Sequence, residues 1–144
     1  MGQQQLLLVI LVTIIVGIAT VVAINTFSAA ADSANVDAAR QDALSIAAAA
    51  QQFFMKPAAL GGGAQDFSGM TFEDISGVPV EIASTGDGSN AFNENGTYIL
   101  GSGSTTEISI TAHPASCENY DEGTGGCTDP LTGTIKENAL SWTN

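Results

Sequence analysis

The chain has 144 residues, of which 44% are hydrophobic, and fifteen acidic residues against three basic ones give it a net charge of −12. A chain of this length makes one small domain. The negative charge repels the phosphates of nucleic acids and of anionic lipid head groups, so direct binding to either is disfavoured.

The most apolar stretch, residues 6–24, contains no charged residue, and only Thr13, Gly17 and Thr20 interrupt its large apolar and alanine side chains. As a helix that rises about 1.5 Å per residue it would span about 28 Å, close to the thickness of the hydrocarbon core of a bilayer. No Lys or Arg precedes the stretch, as one would in a secretory signal. We therefore expect a mature chain from which a basic leader has been removed.

The helical pattern continues beyond the apolar stretch. From Gln3 to Lys56 there is no proline and only one glycine, and Pro57 then ends the helix. In the second half, apolar residues recur every three or four positions. This spacing predicts one buried stripe, made of Val36, Ala39, Ala43, Ile46, Ala50 and Phe53. The small alanines favour close packing on a sheet over a coiled coil.

The pattern changes after residue 56. A glycine-rich connector, residues 57–70, precedes β-leaning segments bounded by turn residues, and tight turns are predicted over residues 85–90 and at Asn95-Gly96. The β-leaning segments are residues 71–75, 78–84, 97–101, 107–112 and 132–135 with 140–142. Because strands and helices do not alternate, the predicted fold class is α+β, with a long N-terminal helix (about residues 3–56) packed on a small antiparallel β-sheet head.

These patterns divide the chain into two regions. Residues 1–56 form the N-terminal helix, with an apolar half over residues 1–26 and an amphipathic half over residues 27–56. Residues 57–144 form a β-rich globular head that includes the connector and a cysteine loop. A head of about 90 residues is long enough for a small core.

Two cysteines, Cys117 and Cys127, enclose a polar, glycine-rich loop. A disulfide between them would stabilise the fold by about 2–3 kcal/mol through loop closure, and such bridges persist in oxidising compartments. The alternatives are two unpaired thiols and a metal site, but no neighbouring residues have the spacing of zinc ligands. The sequence favours the disulfide.

No group of residues carries a catalytic pattern. His113 stands alone, and the glycine run at 61–63 lacks the lysine and the helix of a phosphate-binding loop. The acid-rich residues 118–129 lack EF-hand spacing, so a solvated loop is favoured over a calcium site. Asn95 begins an N-glycosylation sequon, although a turn also accounts for it. We expect a protein that is not an enzyme and has no cofactor, with Asn95 as a candidate glycosylation site.

The order of these parts resembles the type IV pilin family, which includes the pseudopilins. The likeness covers the whole chain: apolar half-helix, amphipathic half-helix, connector, small β-rich head and a cysteine loop near the C-terminus. The resemblance implies that a prepilin peptidase removes a basic leader and that the new first residue, Met1, is methylated. Cleavage after Gly2, which would make Gln3 the first residue, is the alternative.

The resemblance also implies that the apolar half-helices pack in the core of a filament. The predicted assembly-core residues are Gln5, Leu6, Leu7, Leu8, Ile10, Leu11, Thr13, Ile14, Gly17 and Ile18. Thr13 and Gly17 form a small patch that lets helices approach closely. Pilins usually carry a glutamate at the fifth mature position, whereas Gln5 cannot neutralise an amine. The absence of proline from residues 6–24 predicts a mostly continuous helix.

The function that the resemblance implies is structural: a subunit of an extracellular type IV pilus-like filament, with adhesion or motility as properties of the whole fibre. Its partners would be further copies of the chain, the inner membrane before assembly, the prepilin peptidase and the pilus assembly machinery, with no nucleic acid bound directly. It would reside at the cell surface, with an inner-membrane pool. The alternatives are a minor pseudopilin of a type II-like secretion system and a single-pass membrane-anchored extracytoplasmic binding domain.

Overall fold

The computed structural model describes residues 2–84, 86–117 and 129–143. In these residues, one long helix and a 3₁₀ turn (Ala58–Leu60) precede a six-stranded sheet. The elements are α1 (Gly2–Met55), β1 (Glu81–Ile82), β2 (Asn90–Asn93), β3 (Gly96–Leu100), β4 (Glu107–Pro114), β5 (Leu131–Lys136) and β6 (Ala139–Trp142). All neighbouring strands are antiparallel. The predicted α+β class, a long N-terminal helix packed on an antiparallel sheet, is confirmed.

The chain divides into two compact units, Met1–Ala34 and Asn35–Asn144. Helix α1 contributes residues to both units, and the whole sheet belongs to the second. The predicted division into residues 1–56 and 57–144 is based on the change from a helix pattern to a strand pattern in the sequence. It remains a prediction.

The end of α1 is fixed by the connector. The N–H groups of Gly63 and Gln65 donate to the carbonyl oxygens of Phe53 and Phe54, at 2.8 Å in both cases. Carbonyls in the last turn of a helix have no partner within it, so these bonds satisfy two of them. A Cβ at Gly63 would overlap the carbonyl oxygen of Asp66. The glycine-rich connector is therefore required where the chain folds back on the helix end.

The core of the second unit lies between one face of α1 and one face of the sheet. The helix residues buried there are Ala39, Ala43, Ile46, Ala47, Ala50 and Phe54. Four of the six residues of the predicted stripe are among them, while Val36 and Phe53 are half-buried. From the sheet the core receives alternate residues of paired strands, among them Tyr98, Ile108, Ile110, Ala112 and Ile135.

The strand predicted over residues 71–75 is wrong. This segment forms turns that bury Phe72 and Ile75, three residues apart, whereas a strand would bury alternate residues. The backbone N–H and hydroxyl of Thr71 donate to Asp74 Oδ2 at 2.9 and 3.0 Å, which closes the turn. The segment therefore supplies apolar side chains to the core without joining the sheet.

Two further strand assignments change. Of the strand predicted over residues 78–84, only β1 pairs, over two exposed residues. Strand β2 was not predicted, because it begins and ends with asparagine and buries only Ala91. Turn-forming asparagines at both ends hid the strand pattern. The predicted strands 97–101, 107–112, 132–135 and 140–142 are confirmed as β3 to β6, with small shifts in their bounds.

Replacing Ile46 tests the helix–sheet core. Ile46 is 0% exposed, so we expect Ile46→Ala to lower the free energy of unfolding by about 2–4 kcal/mol through lost burial and a residual cavity. The measurement is chemical denaturation of the full chain in detergent, followed by the fluorescence of the half-buried Trp142. Leu44→Ala is the matched control, because Leu44 is 52% exposed on the same helix and its loss should change stability by less than about 0.5 kcal/mol. Equal effects of the two variants would contradict this packing.

Candidate functional site

The first unit presents an apolar helix surface that nothing in the described structure covers. Every described residue from 2 to 34 is exposed. The large apolar side chains between residues 6 and 24 are 48–69% exposed, and Phe27 is 78% exposed. Soluble monomers rarely show a continuous apolar surface of this length, and a helix that is apolar all round belongs in a membrane or a protein core. This surface is the first candidate functional site.

The helix is also long and apolar enough to cross a membrane. An 18-residue window within it has a mean hydropathy of 3.2, and none of that window is buried. A signal segment near an N-terminus can have the same length and composition. The helix thus indicates membrane association or a signal region.

The hydroxyl groups of Thr13 and Thr20, within the apolar stretch, do not need outside partners. Thr13 Oγ1 donates to Ile10 O at 2.8 Å, and Thr20 Oγ1 donates to Val16 O at the same distance. A helix whose backbone and hydroxyl groups bond internally can enter an apolar medium without unsatisfied polar groups. A Cβ built on Gly17 would meet no atom within 4 Å, so the surface is open at that point.

The ten predicted assembly-core residues all lie on this exposed helix: Gln5, Leu6, Leu7, Leu8, Ile10, Leu11, Thr13, Ile14, Gly17 and Ile18. The helix is continuous through Gly17. The role of these ten residues in assembly remains a prediction. Met1, the predicted site of processing and methylation, lies outside the described residues.

A second candidate site is a polar cluster where the second unit's part of α1 meets the β2–β3 turn. Asp42 Oδ2 accepts hydrogen bonds from Asn93 Nδ2 at 2.7 Å, Asn95 Nδ2 at 2.7 Å and the hydroxyl of Tyr98 at 2.9 Å. Tyr98 is 0% exposed, and Asp42 is half-buried. Hydrogen bonds to a carboxylate are stronger than neutral ones, so this oxygen ties the helix to the sheet.

Asn35 extends this cluster by two helical turns. Its Nδ2 donates to Asn95 O at 3.2 Å, and its Oδ1 accepts from the backbone N–H of Ser116 at 2.9 Å. Residues seven apart lie on one helix face, so both Asn35 and Asp42 hydrogen-bond to the β2–β3 turn. Sequence reasoning missed both, because each borders the buried stripe, beside Val36 and Ala43, and reads as a solvated polar residue. The seven-residue spacing was the only sequence signal.

The predicted glycosylation site, Asn95, is part of this cluster. Its Nδ2, the atom that would carry a glycan, donates to Asp42, and Thr97 of the sequon is 0% exposed. A transferase would therefore have to act before the head folds. A glycosylated amide nitrogen keeps one N–H, so the bond to Asp42 is compatible with modification. Glycosylation of Asn95 remains a prediction.

His113 lies near the end of β4 and is 8% exposed. Its Nδ1 is buried and has no hydrogen-bond partner among the described residues. Burial lowers the pKa of His113 from its ordinary value of 6.5, because desolvation disfavours the charged ring.

Two exposed aspartates also have lowered pKa values. Hydrogen bonds from the side chain and backbone of Ser68 lower the pKa of Asp66, and those of Ser89 lower the pKa of Asp87.

The described residues hold no group of three or more His, Cys, Asp or Glu side chains placed to bind a metal ion. Cys127 and most of the acid-rich loop lie outside the described residues, so the Cys117–Cys127 disulfide remains a prediction.

Two basic residues form exposed ion pairs, Arg40 with Asp37 at 3.7 Å and Lys136 with Glu107 at 3.3 Å. Exposed pairs contribute little to stability.

No protein-family model, curated protein or solved structure matches this chain. Any likeness to known proteins therefore rests on architecture alone. A long apolar N-terminal helix packed on an antiparallel sheet resembles the architecture of the type IV pilin family. Architecture by itself does not establish function, which has to be argued from the exposed helix.

Replacing Asp42 tests the polar cluster. Asp42→Ala removes the acceptor that three donors share; Asn93 Nδ2 retains Pro79 O at 3.0 Å and the buried hydroxyl of Tyr98 retains a longer contact with Asn93 Oδ1 at 3.4 Å. We expect the free energy of unfolding to fall by about 1–3 kcal/mol. Asp37→Ala removes a carboxylate of equal charge that is exposed, and should cost less than about 0.5 kcal/mol. Denaturation of both full-length variants in detergent measures the difference, and an Asp42 variant as stable as the Asp37 variant would contradict the cluster.

The burial of His113 predicts a pH dependence. Because its pKa is lowered in the folded state, the unfolded state binds the proton first as pH falls below 6.5. The stability that neutral His113 supports is present above that value and is lost as pH falls toward the lowered pKa. We expect the free energy of unfolding to fall more steeply in the wild type than in His113→Gln between about pH 7 and pH 5. Denaturation at both pH values measures the slopes, and parallel slopes would contradict the prediction.

Proposed function

We propose that this chain is the repeating subunit of an extracellular type IV pilus-like filament. One observation carries the proposal: residues 2–31 are uncharged, helical and exposed, while the same helix continues into a unit that has its own core. The head folds around its own core in water, whereas the uncharged, apolar helix attached to it needs apolar surroundings. In the assembled state, other copies of the same helix provide it.

The energetics of the helix support assembly. Burying a large aliphatic side chain from water contributes about 1.5–3 kcal/mol, so the exposed leucines, isoleucines and valines of residues 6–24 represent on the order of 20–40 kcal/mol as an upper bound. No contact between acidic heads approaches this sum. Subunits that leave a lipid bilayer do not gain it, because lipid is as apolar as the bundle. Transfer from membrane to filament therefore requires helix packing or an external motor.

The proposed sequence of events begins in the inner membrane, which residues 6–24 are long enough to span. A prepilin peptidase processes the chain, and the pilus assembly machinery extracts it into the growing filament. The heads, which hold all charged residues but those of the helix's second half, then form a negatively charged sheath. The role is structural rather than catalytic, and the negative charge disfavours direct binding of nucleic acid along the shaft.

Electron microscopy of material sheared from cells that express the chain tests the proposal, with mass spectrometry of the N-terminus on the same fraction. We expect uniform thin filaments built mainly of this chain, with a methylated first residue. A chain found only in the membrane fraction, with no filaments, would overturn the proposal in favour of an anchored binding domain.

A charge in the apolar helix should prevent assembly. Ile14 is 54% exposed in the middle of residues 6–24, and we expect Ile14→Glu to reduce filament yield by about a hundredfold, since a charge at the centre of a membrane helix costs about 2.5–3.5 kcal/mol. Leu60→Glu is the matched control, because Leu60 is 67% exposed in the second unit and its replacement should leave yield unchanged. Quantification of sheared filaments relative to total chain measures the effect. Filaments of normal yield from Ile14→Glu would place this helix outside the filament core.

A further inference from the structure

The uncharged helix segment carries two groups of carboxamide side chains. Gln3, Gln4 and Gln5 lie at one end, and Asn25 follows the apolar stretch. All four are exposed, and none of their side chains has a hydrogen-bond partner among the described residues. The nearby hydroxyls of Thr13 and Thr20 differ, because each donates to a carbonyl of its own helix. The carboxamides, together with the Ser28 hydroxyl, are thus the polar side chains of this segment that have no partner within the described helix.

The spacing of the two groups matches a bilayer. Asn25 follows the three glutamines by 20–22 residues, which in a helix is about 30–33 Å. The hydrocarbon core of a membrane is about 30 Å thick. A chain that crosses the membrane therefore has one group at each boundary, where water and lipid head groups satisfy the carboxamides.

Assembly removes those partners. Inside a bundle of apolar helices, a carboxamide has no water, and an unpaired buried donor or acceptor is destabilising. A carboxamide both donates and accepts, so a second carboxamide is a complementary partner. Along residues 2–31 of a neighbouring copy, the carboxamides on offer are again those of residues 3–5 and Asn25.

Two alignments of parallel helices pair these groups. With no axial displacement, glutamines meet glutamines and Asn25 meets Asn25, but copies arranged without displacement form a closed ring rather than a filament. That alignment also places Asp32 and Asp37 beside their own copies. A displacement of 20–22 residues brings the glutamines of one copy to Asn25 of another and permits continued growth. It also separates Asp32 and Asp37 from the same residues of the neighbouring copy by more than the screening length of about 8 Å.

We propose that the glutamines at residues 3–5 of one copy hydrogen-bond to Asn25 of a neighbouring copy in the filament, which sets the axial displacement between those two helices at about 30–33 Å. The inference rests on the proposed filament function. It names a second copy of this chain as the occupant of the helix surface. The same four side chains serve the membrane state and the filament, because one spacing satisfies both environments.

Cysteine cross-linking tests the contact in filaments. Gln4→Cys and Asn25→Cys are expressed separately and together, as two distinguishable chains, and sheared filaments are treated with a mild oxidant. We expect the mixed filaments to give a disulfide-linked heterodimer at least tenfold above the homodimers of either variant alone, with the linked peptides identified by mass spectrometry. Homodimers in the single variants, or no linkage in the mixture, would overturn the displaced alignment while the filament proposal stands. A wild-type chain that forms no filaments would instead overturn the proposed function.

A second measurement does not depend on cysteine chemistry. Asn25→Leu leaves the neighbouring glutamines without their partner, so we expect its filaments to disassemble at a lower temperature than the wild type. Asn25→Gln, which keeps the carboxamide, should restore most of the loss. Thr20→Val is the matched control, because it removes a hydroxyl that bonds within its own helix. If Asn25→Leu filaments match those of Thr20→Val, the proposed contact is absent.

Discussion

The structure depends on one constraint: the apolar side chains of residues 6–24 are exposed, and water is an unfavourable environment for them. Burial of this surface from water would contribute a large free energy. The backbone and the threonine hydroxyls of the segment bond within the helix, so an apolar environment imposes no penalty on them. The segment can therefore occupy a bilayer or a helix bundle without a change of secondary structure.

In the second unit, side-chain packing and hydrogen bonds hold the continuation of the same helix against the sheet. Ala39, Ala43, Ala47 and Ala50 are small, so the helix can lie close to the sheet, but each alanine buries little apolar area. Larger side chains supply that area, as in the stacked rings of Phe54 and Phe67, whose centroids lie 4.6 Å apart. The alanine stripe alone would permit the helix to slide or rotate. The half-buried carboxylate of Asp42, with its three donors, specifies one position.

Sequence reasoning recovered the elements whose residues repeat with a regular period. The helix and strands β3 to β6 follow such patterns, and Pro57 gave the end of the helix to within two residues. It failed where burial follows a turn, as with Phe72 and Ile75, and where asparagines flank a strand, as in β2. The predicted assembly residues all lie on one exposed helix, but exposure in a single chain does not reveal their partner.

The contacts of Asn35 and Asp42 could not be predicted because they join residues more than fifty positions apart. A periodic pattern reports the environment that a residue prefers, and a polar residue beside a buried stripe looks the same whether it is solvated or bonded across to a turn. Only the fold decides which. The same limit applies to Asn95, where the sequon and the turn were both recognised but the bond from its side chain to Asp42 was not.

Charge and apolar surface are separated along the chain. Every acidic residue lies at or beyond Asp32, and the segment before it carries no charge. Because twelve of the fifteen acidic residues but only one of the three basic residues lie in residues 57–144, heads repel one another at distances within the screening length of about 8 Å, so association through heads alone is disfavoured. The uncharged helix meets no such repulsion. In the proposed filament, the charge distribution therefore acts against associations between heads and leaves the alignment of the copies to the helix and its carboxamides.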